Sequence, residues 1–452
     1  MDLNFDELVL GLGGEVLIKG NNTVFNNVCT DTRKIQTGNV FLALKGEKFN
    51  GNLYAKDALV NGASIAVVDE DIKDLSEFEG LGTVIKVRNS YDSLLSLAKY
   101  YREKLKIKVV GITGSTGKTS TKDLTSAFLS GKYKVFKTKG NFNNHIGLPL
   151  MILELDKTYD VAVLELGMSN LNEIHTLANT ARPDIALITN IGLSHIENLK
   201  TQENILKAKM EITDFFTKSN TLIVNGEDKF LRNINSDNFK VRKTSLSEKF
   251  DIKADNVQLF QDKTTFDIVH DDKKYTFSLP MVGAHNVLNA MLGIQASIEL
   301  GVSFDEMIKG LSNIEATSMR LQFIKKDNFT IINDCYNASP DSMAAALDVL
   351  SSAEGKRKVA ILGTMNELGE EAKNAHKAVG KMAKEKADLL IVTGIYKEEY
   401  KYGFEKDNIK IYNTKEEIIR DLKNVINSGD TILVKASRGI KYEDIVKALE
   451  KM

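Results

Sequence analysis

Lys118 and Thr119 follow a run of small residues, Thr113-Gly114-Ser115-Thr116-Gly117, and Ser120 closes the stretch. That spacing suits phosphate chemistry. Small residues let backbone N–H groups approach anionic oxygens, the lysine ammonium reaches the outer phosphates, and the threonine hydroxyl suits Mg²⁺. The strict P-loop pattern puts a glycine where this chain has Ile112, whereas Gly111 and Gly114 fit the shorter form Thr-Gly-x-x-Gly-Lys-Thr/Ser. Four other places hold residues able to do chemistry. Glu165 ends an apolar run and could hold Mg²⁺ directly or through water; a solvated or capping glutamate is the alternative. His195 could ligate a metal or be a plain loop residue. Asn286 and Asn289, three apart on a helix, share a face that could grip a base or ribose, or could simply meet solvent. Arg320 and Asp334 could reach a nucleotide across a cleft or form a structural ion pair. Lys207 and Lys209, read alone, are surface lysines.

The elements that must position these residues alternate between strand and helix. Ile107, Val109, Val110 and Ile112 read as a buried strand, and Leu124, Ala127 and Phe128 as a helix closed by Gly131. Strand, glycine turn and helix together form an anion cradle, because the helix N-terminus adds positive potential. Val161–Leu164 and Ile185–Ile188 read as further buried strands. In open α/β sheets ligands bind beyond the carboxyl ends of strands, so the stretch from Gly114 to Thr119, Glu165 and the stretch from Asn190 to His195 should meet on one rim. Segment 250–280 alternates as antiparallel strands do, and a helix begins near His285 with Val287, Met291, Ile294 and Ile298 inward. The last third repeats the alternation, with strands Thr330–Asn333, Val359–Leu362, Leu389–Val392 and Thr431–Val434 and a helix over Pro340–Leu350, and it lacks a second glycine-lysine turn. The first hundred residues form a small α/β unit with strands near Gly38–Leu44 and Ser64–Val68 and a helix over Ser93–Glu103. The expected fold class is α/β in three domains: 1–105, a small N-terminal α/β domain; 106–316, a central P-loop-type, mostly parallel sheet domain; and 317–452, a Rossmann-like doubly wound domain.

Composition narrows the function. The chain has 452 residues, enough for several cores. Sixty Lys+Arg against 61 Asp+Glu leave a formal charge of −1, so no global basic field points to nucleic acid or a membrane surface. Two cysteines, Cys29 and Cys335, lie far apart and fit a reducing cytosol. No apolar run approaches a membrane span, and the first ten residues carry acids where a signal peptide needs basic and then apolar residues. The expectation is a soluble, cytoplasmic monomer without membrane insertion.

Ordered blocks then carry a resemblance. They are Thr113–Ser120, Gly140-Asn-Phe-Asn-Asn-His-Ile-Gly147, Glu165-Leu-Gly-Met168, Asn190-Ile-Gly-Leu-Ser-His195, Lys207-Ala-Lys-Met-Glu-Ile212 and Gly283-Ala-His-Asn-Val-Leu-Asn289. Asn333-Asp-Cys-Tyr-Asn-Ala-Ser-Pro340, Leu362-Gly-Thr-Met-Asn-Glu-Leu-Gly369 and Val434-Lys-Ala-Ser-Arg438 follow. Over essentially its whole length the chain resembles the Mur ligase family, and the Asn333–Pro340 and Gly363–Gly369 blocks resemble its MurF type. The resemblance implies an ATP-dependent amide ligase that joins D-Ala-D-Ala to UDP-N-acetylmuramoyl-tripeptide in cytoplasmic peptidoglycan precursor synthesis, with ATP and Mg²⁺ as cofactors. It implies that Thr113, Gly114, Ser115, Thr116, Gly117, Lys118, Thr119 and Ser120 bind ATP, joined by Asn286, Asn289, Arg320 and Asp334. It makes Thr119, Glu165, His195 and Lys209 metal-binding, Lys209 as a carbamate, and gives Lys118, Lys209 and His195 catalytic roles. Substrate contacts are implied for Asp31, Thr32, Arg33, Lys45, Gly46, Asn143, Asn144, Tyr336, Asn337, Lys435, Ser437 and Arg438. One departure stands in the first domain, where Asn50-Gly51-Asn52 replaces the Asp-Gly-His common in this type.

Three competing readings make different demands. A related ligase adding a single amino acid, or a folylpolyglutamate synthetase, would not need the two MurF-like blocks. A P-loop switch or motor would hydrolyse ATP without an amino acceptor. A catalytically dead UDP-sugar-binding module would have lost the phosphate turn, yet Lys118, Thr119 and Glu165 are all present.

Overall fold

The computed structural model describes residues 1–21, 24–314 and 317–452. Four sheets follow one another among them. The first has five strands in the spatial order Glu15–Ile18, Thr83–Lys86, Ile65–Val68, Val40–Leu42 and Val28–Cys29, parallel except for the first pair. A long helix, Ser90–Leu105, leads out of it. It starts three residues before the expected Ser93 because the Asn89 side chain accepts from the Asp92 N–H and caps it.

The central sheet has seven strands, all paired in parallel: Ile252–Lys253, Lys240–Ser245, Thr221–Asn225, Ile185–Ile188, Lys108–Thr113, Val161–Glu165 and Val135–Lys137. Its middle is apolar on both faces, as helix-covered parallel sheets require: Val109, Val110, Ile112, Val163 and Leu187 are fully buried. Strand Lys108–Thr113 sits between Val161–Glu165 and Ile185–Ile188, with Ile112 opposite Glu165 and Thr113 opposite Ile188. The chain leaves this strand toward one side of the sheet and later returns on the other. That switch point opens a crevice at the carboxyl ends.

The segment after residue 250 departs from expectation. Ile252–Lys253 extends the central sheet in parallel, and antiparallel pairing begins only with the three-stranded sheet Asp255–Leu259, Thr264–His270 and Lys273–Leu279. Phe266 and Phe277 of that sheet stack at 5.3 Å, and Phe277 meets Phe128 of the phosphate helix Lys118–Ser130 edge-on at 5.9 Å. Helix Ala284–Glu299 packs on the phosphate helix, where a Cβ on Gly293 would lie 2.7 Å from the Thr125 hydroxyl. The boundary expected at residue 316 lies outside the described residues.

The last sheet runs Gln322–Lys325, Thr330–Asn333, Asp430–Lys435, Arg357–Leu362, Leu389–Val392 and Ile409–Ile411, parallel but for its antiparallel first strand. Helix Pro340–Ser352 opens on proline in its first turn, where the missing N–H costs nothing. No helix among the described residues is long and apolar enough to cross a membrane.

Candidate active site

The phosphate turn is shaped by close approach. Gly114 has φ 152° and a Cβ there would lie 1.8 Å from the Thr189 hydroxyl; Gly117 has φ 80° and would meet Asn289 Oδ1 at 2.6 Å. Only glycine leaves both neighbours in place. Asn190 braces the turn from the adjacent strand end: its carbonyl accepts from Ser115 N–H at 3.1 Å, its side-chain oxygen accepts from Thr116 N–H at 3.0 Å, and its amide donates to Thr116 Oγ1 at 2.7 Å. The N–H groups of the first helical turn have no helical carbonyl ahead of them, an arrangement that suits an anion.

Lys118 donates to the Gly114 carbonyl at 2.7 Å, so its ammonium folds back over the turn. Burial pulls its pKa below the ordinary lysine range, opposed by the charge of Glu165. The Thr119 hydroxyl donates to Glu165 Oε2 at 3.4 Å and accepts from Arg320 Nη2 at 3.0 Å. Glu165 is 2% exposed, and its Oε1 has no hydrogen-bond partner, the nearest cation being Lys122 Nζ at 3.7 Å. An orphaned, buried carboxylate oxygen beside a threonine hydroxyl is a hard-oxygen donor set. No group of three or more His, Cys, Asp or Glu side chains able to hold an ion occurs among the described residues.

The final α/β unit closes the other side. Asp123 on the phosphate helix accepts from the Thr317 hydroxyl at 2.7 Å, tying down the chain three residues before Arg320. The Arg320 guanidinium stacks on Tyr336 at 4.1 Å, and Arg438 lies 5.8 Å from the same ring. Asp334 pairs with buried Lys435 at 2.5 Å and accepts from Leu321 N–H at 3.2 Å. His195 Nδ1 lies 2.6 Å from Glu367 Oε2, and the imidazole beside Glu367 holds that carboxyl below its usual range.

A cleft of about 630 Å³ gathers these groups. Ser115, Thr116, Gly117, Lys118, Thr119, Ser120, Glu165, His195, Asn286, Asn289, Arg320 and Asp334 line it, as do Asn143, Asn144, Tyr336, Asn337 and Lys435. The asparagines on helix Ala284–Glu299 are not solvent-facing amides: Asn286 donates to the Val282 carbonyl at 2.8 Å and accepts from Asn289, and both are buried. Lys209 is 1% exposed while Lys207 is exposed, so the surface reading holds for one lysine and fails for the other. Burial, with Lys118 adding repulsion, pushes the Lys209 amine well below its ordinary pKa.

Other residues singled out above lie elsewhere. Asp31, Thr32, Arg33, Lys45, Gly46, Ser437 and Arg438, like the buried Thr113, Gly114 and Lys209, are not among the residues lining this cleft. Arg33 grips Asp31 in a two-pronged ion pair, with both N–O distances 2.9 Å, and holds the Asp31 carboxyl down to about 2. Lys45 pairs with Glu70 at 2.7 Å, which also accepts from Asn50 at 2.9 Å. Asn52 clips Asp69 through two hydrogen bonds, 2.8 and 3.0 Å, so the Asn50-Gly51-Asn52 departure serves local structure here. Tyr91 donates to the Lys45 carbonyl at 3.1 Å and contacts His145 at 5.8 Å, linking this unit to the Asn143–Asn144 loop. Ser437 is buried and accepts from Asn366 N–H at 2.9 Å. Spacing alone missed the bracing role of Asn190 and the reach of Glu367 and Asp341 into the cleft; the position of Asn190 just beyond strand Ile185–Ile188 was the available signal.

Comparison with known proteins agrees with this geometry. Family models match three stretches: "Mur ligase family, catalytic domain" over residues 24–100, "Mur ligase middle domain" over 112–297 and "Mur ligase, glutamate ligase domain" over 319–438. UDP-N-acetylmuramoyl-tripeptide--D-alanyl-D-alanine ligase of Bacillus subtilis (strain 168) is 40% identical over 434 residues, 94% of this chain and 93% of that protein. A crystal structure of MurF from Acinetobacter baumannii superposes with TM-score 0.92 at 30% identity, covering 99% of each chain. MurF ligase from Thermotoga maritima in complex with ADP gives 0.84 at 28% identity, covering 94% of this chain and 97% of that one. By sequence and by architecture alike, the chain belongs to the Mur ligase family, MurF type.

Proposed function

We propose that this chain is an ATP-dependent ligase that joins D-Ala-D-Ala to UDP-N-acetylmuramoyl-tripeptide, releasing ADP and phosphate. The observation that carries it is the meeting of the phosphate turn, Glu165 and Arg320 at Thr119, in one cleft between two α/β units. The activity named for the Bacillus subtilis relative and the ADP bound to the Thermotoga maritima relative support the substrates. Under this reading residues 1–105 take the UDP-sugar, 106–316 take ATP, and 317–452 supply dipeptide contacts and the second side of the nucleotide. Cytoplasmic nucleotide-linked substrates support a cytoplasmic enzyme, which we take to act as a monomer.

The chemistry follows from the weakness of a carboxylate as acyl donor. The tripeptide's terminal carboxylate attacks the γ-phosphorus; the bond to the β-phosphate oxygen breaks, giving an acyl phosphate and ADP. The dipeptide amine then attacks the acyl carbon, loses its proton, and phosphate leaves with the former carboxylate oxygen. Lys118 and the backbone N–H groups of the turn offset the repulsion between the triphosphate and the attacking carboxylate. Thr119 and the orphaned Glu165 carboxylate would hold Mg²⁺, which supplies charge neutralisation at the phosphates when bound. Arg320 adds positive charge from the final unit, and closure of that unit over the cleft keeps water from the acyl phosphate. The resemblance gives His195 and Lys209 metal-binding roles, Lys209 as a carbamate. Its depressed pKa supports the latter, since only the neutral amine adds carbon dioxide. Asp31, Thr32, Arg33, Lys45 and Gly46 are read as UDP-sugar contacts, and Asn143, Asn144, Tyr336, Asn337, Lys435, Ser437 and Arg438 as substrate contacts.

The test is phosphate release with ATP, UDP-tripeptide carrying lysine or diaminopimelate, and a panel of dipeptides and D-Ala-D-lactate. Phosphate should appear only when nucleotide, tripeptide and an acceptor are all present. Equal release without the acceptor would instead identify a switch or motor ATPase.

A further inference from the structure

We propose that Asp123 and Thr317 are positioning residues: together they seat the segment entering the final α/β unit along the phosphate helix, and so bring Arg320 to Thr119. Helix Lys118–Ser130 meets that segment at three places, and the two stretches run in opposite directions. Asn313 Nδ2 donates to Ser130 Oγ at 3.2 Å. The Thr317 hydroxyl and N–H donate to Asp123 Oδ2 at 2.7 and 3.2 Å. Arg320 Nη2 donates to the Thr119 hydroxyl at 3.0 Å. Thr119, Asp123 and Ser130 are four and then seven residues apart, so they share one face of the helix. The approach begins earlier on the same helix, where a Cβ on Gly310 would lie 2.1 Å from the Ala127 carbonyl oxygen. Strand Gln322–Lys325 of the final sheet starts just beyond Arg320.

Asp123 is buried, and neither it nor Thr317 is among the residues lining the cleft. Its other oxygen, Oδ1, faces Lys122 Nζ at 3.2 Å and Lys137 Nζ at 3.5 Å, so the buried charge is paired. Lys122 Nζ also lies 3.7 Å from Glu165, and removing Asp123 would therefore disturb the cleft by a second route. The Thr317 hydroxyl has no such second route and reports the seat alone. A hydroxyl donated to an ionised carboxylate is a charge-assisted bond, whose loss shifts the ratio of seated to released segment by roughly 10- to 100-fold. Arg320 reaches Thr119 from a segment already fastened one helical turn away, so each contact raises the effective concentration of the other.

The test titrates ADP calorimetrically into the full chain as wild type, Thr317→Val, Thr317→Ser, Arg320→Ala and the double variant Thr317→Val/Arg320→Ala. Valine matches threonine in shape and lacks the hydroxyl; serine keeps it. Thr317→Val should weaken ADP binding roughly 3- to 10-fold, because only the seated fraction presents Arg320. Thr317→Ser should bind within about twofold of wild type, and the double variant within about twofold of Arg320→Ala. A residue serving general stability would instead weaken ADP binding equally whether or not Arg320 is present. In the free chain, hydrogen exchange of amides 317–320 should be several-fold faster in Thr317→Val than in wild type or Thr317→Ser, with melting curves confirming that each variant is folded. Unchanged ADP affinity in Thr317→Val, an equal loss in both backgrounds, or unaltered exchange overturns the proposal. The titration arm rests on the nucleotide site of the ligase reading. If wild type binds no ADP, that reading fails, whereas exchange in the free chain still decides whether the Asp123–Thr317 contact seats the segment.

Discussion

Replacing Arg320 with alanine should separate binding from stability, and the structure says by how much. In the free chain the guanidinium gains one charged hydrogen bond to the Thr119 hydroxyl, about 1.5–3 kcal/mol. Stacking on Tyr336 at 4.1 Å adds about 0.5–2 kcal/mol. Against this, Nε is buried with no hydrogen-bond partner, which costs about 1–3 kcal/mol. At the centres of these ranges the gains exceed the cost by about 1.5 kcal/mol, so Arg320→Ala should destabilise the free chain by about 1–2 kcal/mol. Nucleotide alters the balance, because a phosphate oxygen can accept from Nε. Losing that charge-assisted bond should weaken ADP binding by roughly 10- to 100-fold, since about 1.4 kcal/mol is a factor of ten. Calorimetric ADP titration gives the affinity, and denaturant curves with and without ADP give the stability. Unchanged ADP affinity, or loss of more than about 3 kcal/mol in the free chain, would refute the reasoning.

Lys118→Ala should abolish acceptor-dependent phosphate release while the melting temperature holds or rises, because a half-buried cation with a depressed pKa is removed; near-normal turnover would take Lys118 out of the nucleotide site. Gly114→Ala forces a Cβ to within 1.8 Å of the Thr189 hydroxyl at φ 152° and should cost about 1–3 kcal/mol in denaturant unfolding, together with ATP turnover. Asp341 is exposed as a residue, but its carboxyl lies against Gly192, and desolvation at that end raises its pKa, with Asp228 adding to the effect and the Leu193 N–H opposing it. A carboxyl raised in the folded state keeps its proton longer than the unfolded chain does, so wild type loses stability as pH rises from the ordinary aspartate range through the raised value. Asp341→Asn should remove that loss; urea midpoints that fall equally in both chains over this window would contradict the assignment.

Much of this was legible from local pattern. The strand Lys108–Thr113 and the helix after it announced themselves because glycine spacing and apolar periodicity are properties of neighbouring residues. Convergence of the strand ends followed from the geometry of parallel sheets. Lys240–Ser245, polar by composition, gave no strand signal, because its place in the sheet comes from its neighbours rather than its own side chains. Burial of Asn289 depends on how closely helix Ala284–Glu299 approaches Gly117, a contact between distant segments. Lys207 and Lys209 sit two apart on one helix, so opposite faces separate a solvated ammonium from a buried one, and no property of lysine itself tells them apart. Glu367 and His195 meet only because two sheets dock, which no periodicity encodes.

The central claim is that the tripeptide carboxylate is phosphorylated before the amide forms. Supplying UDP-tripeptide with heavy oxygen in its terminal carboxylate, with ATP and D-Ala-D-Ala, and weighing the released phosphate tests this directly. The account predicts that each phosphate carries one labelled oxygen from the peptide; phosphate free of label would mean that ATP was split by water, and would contradict it.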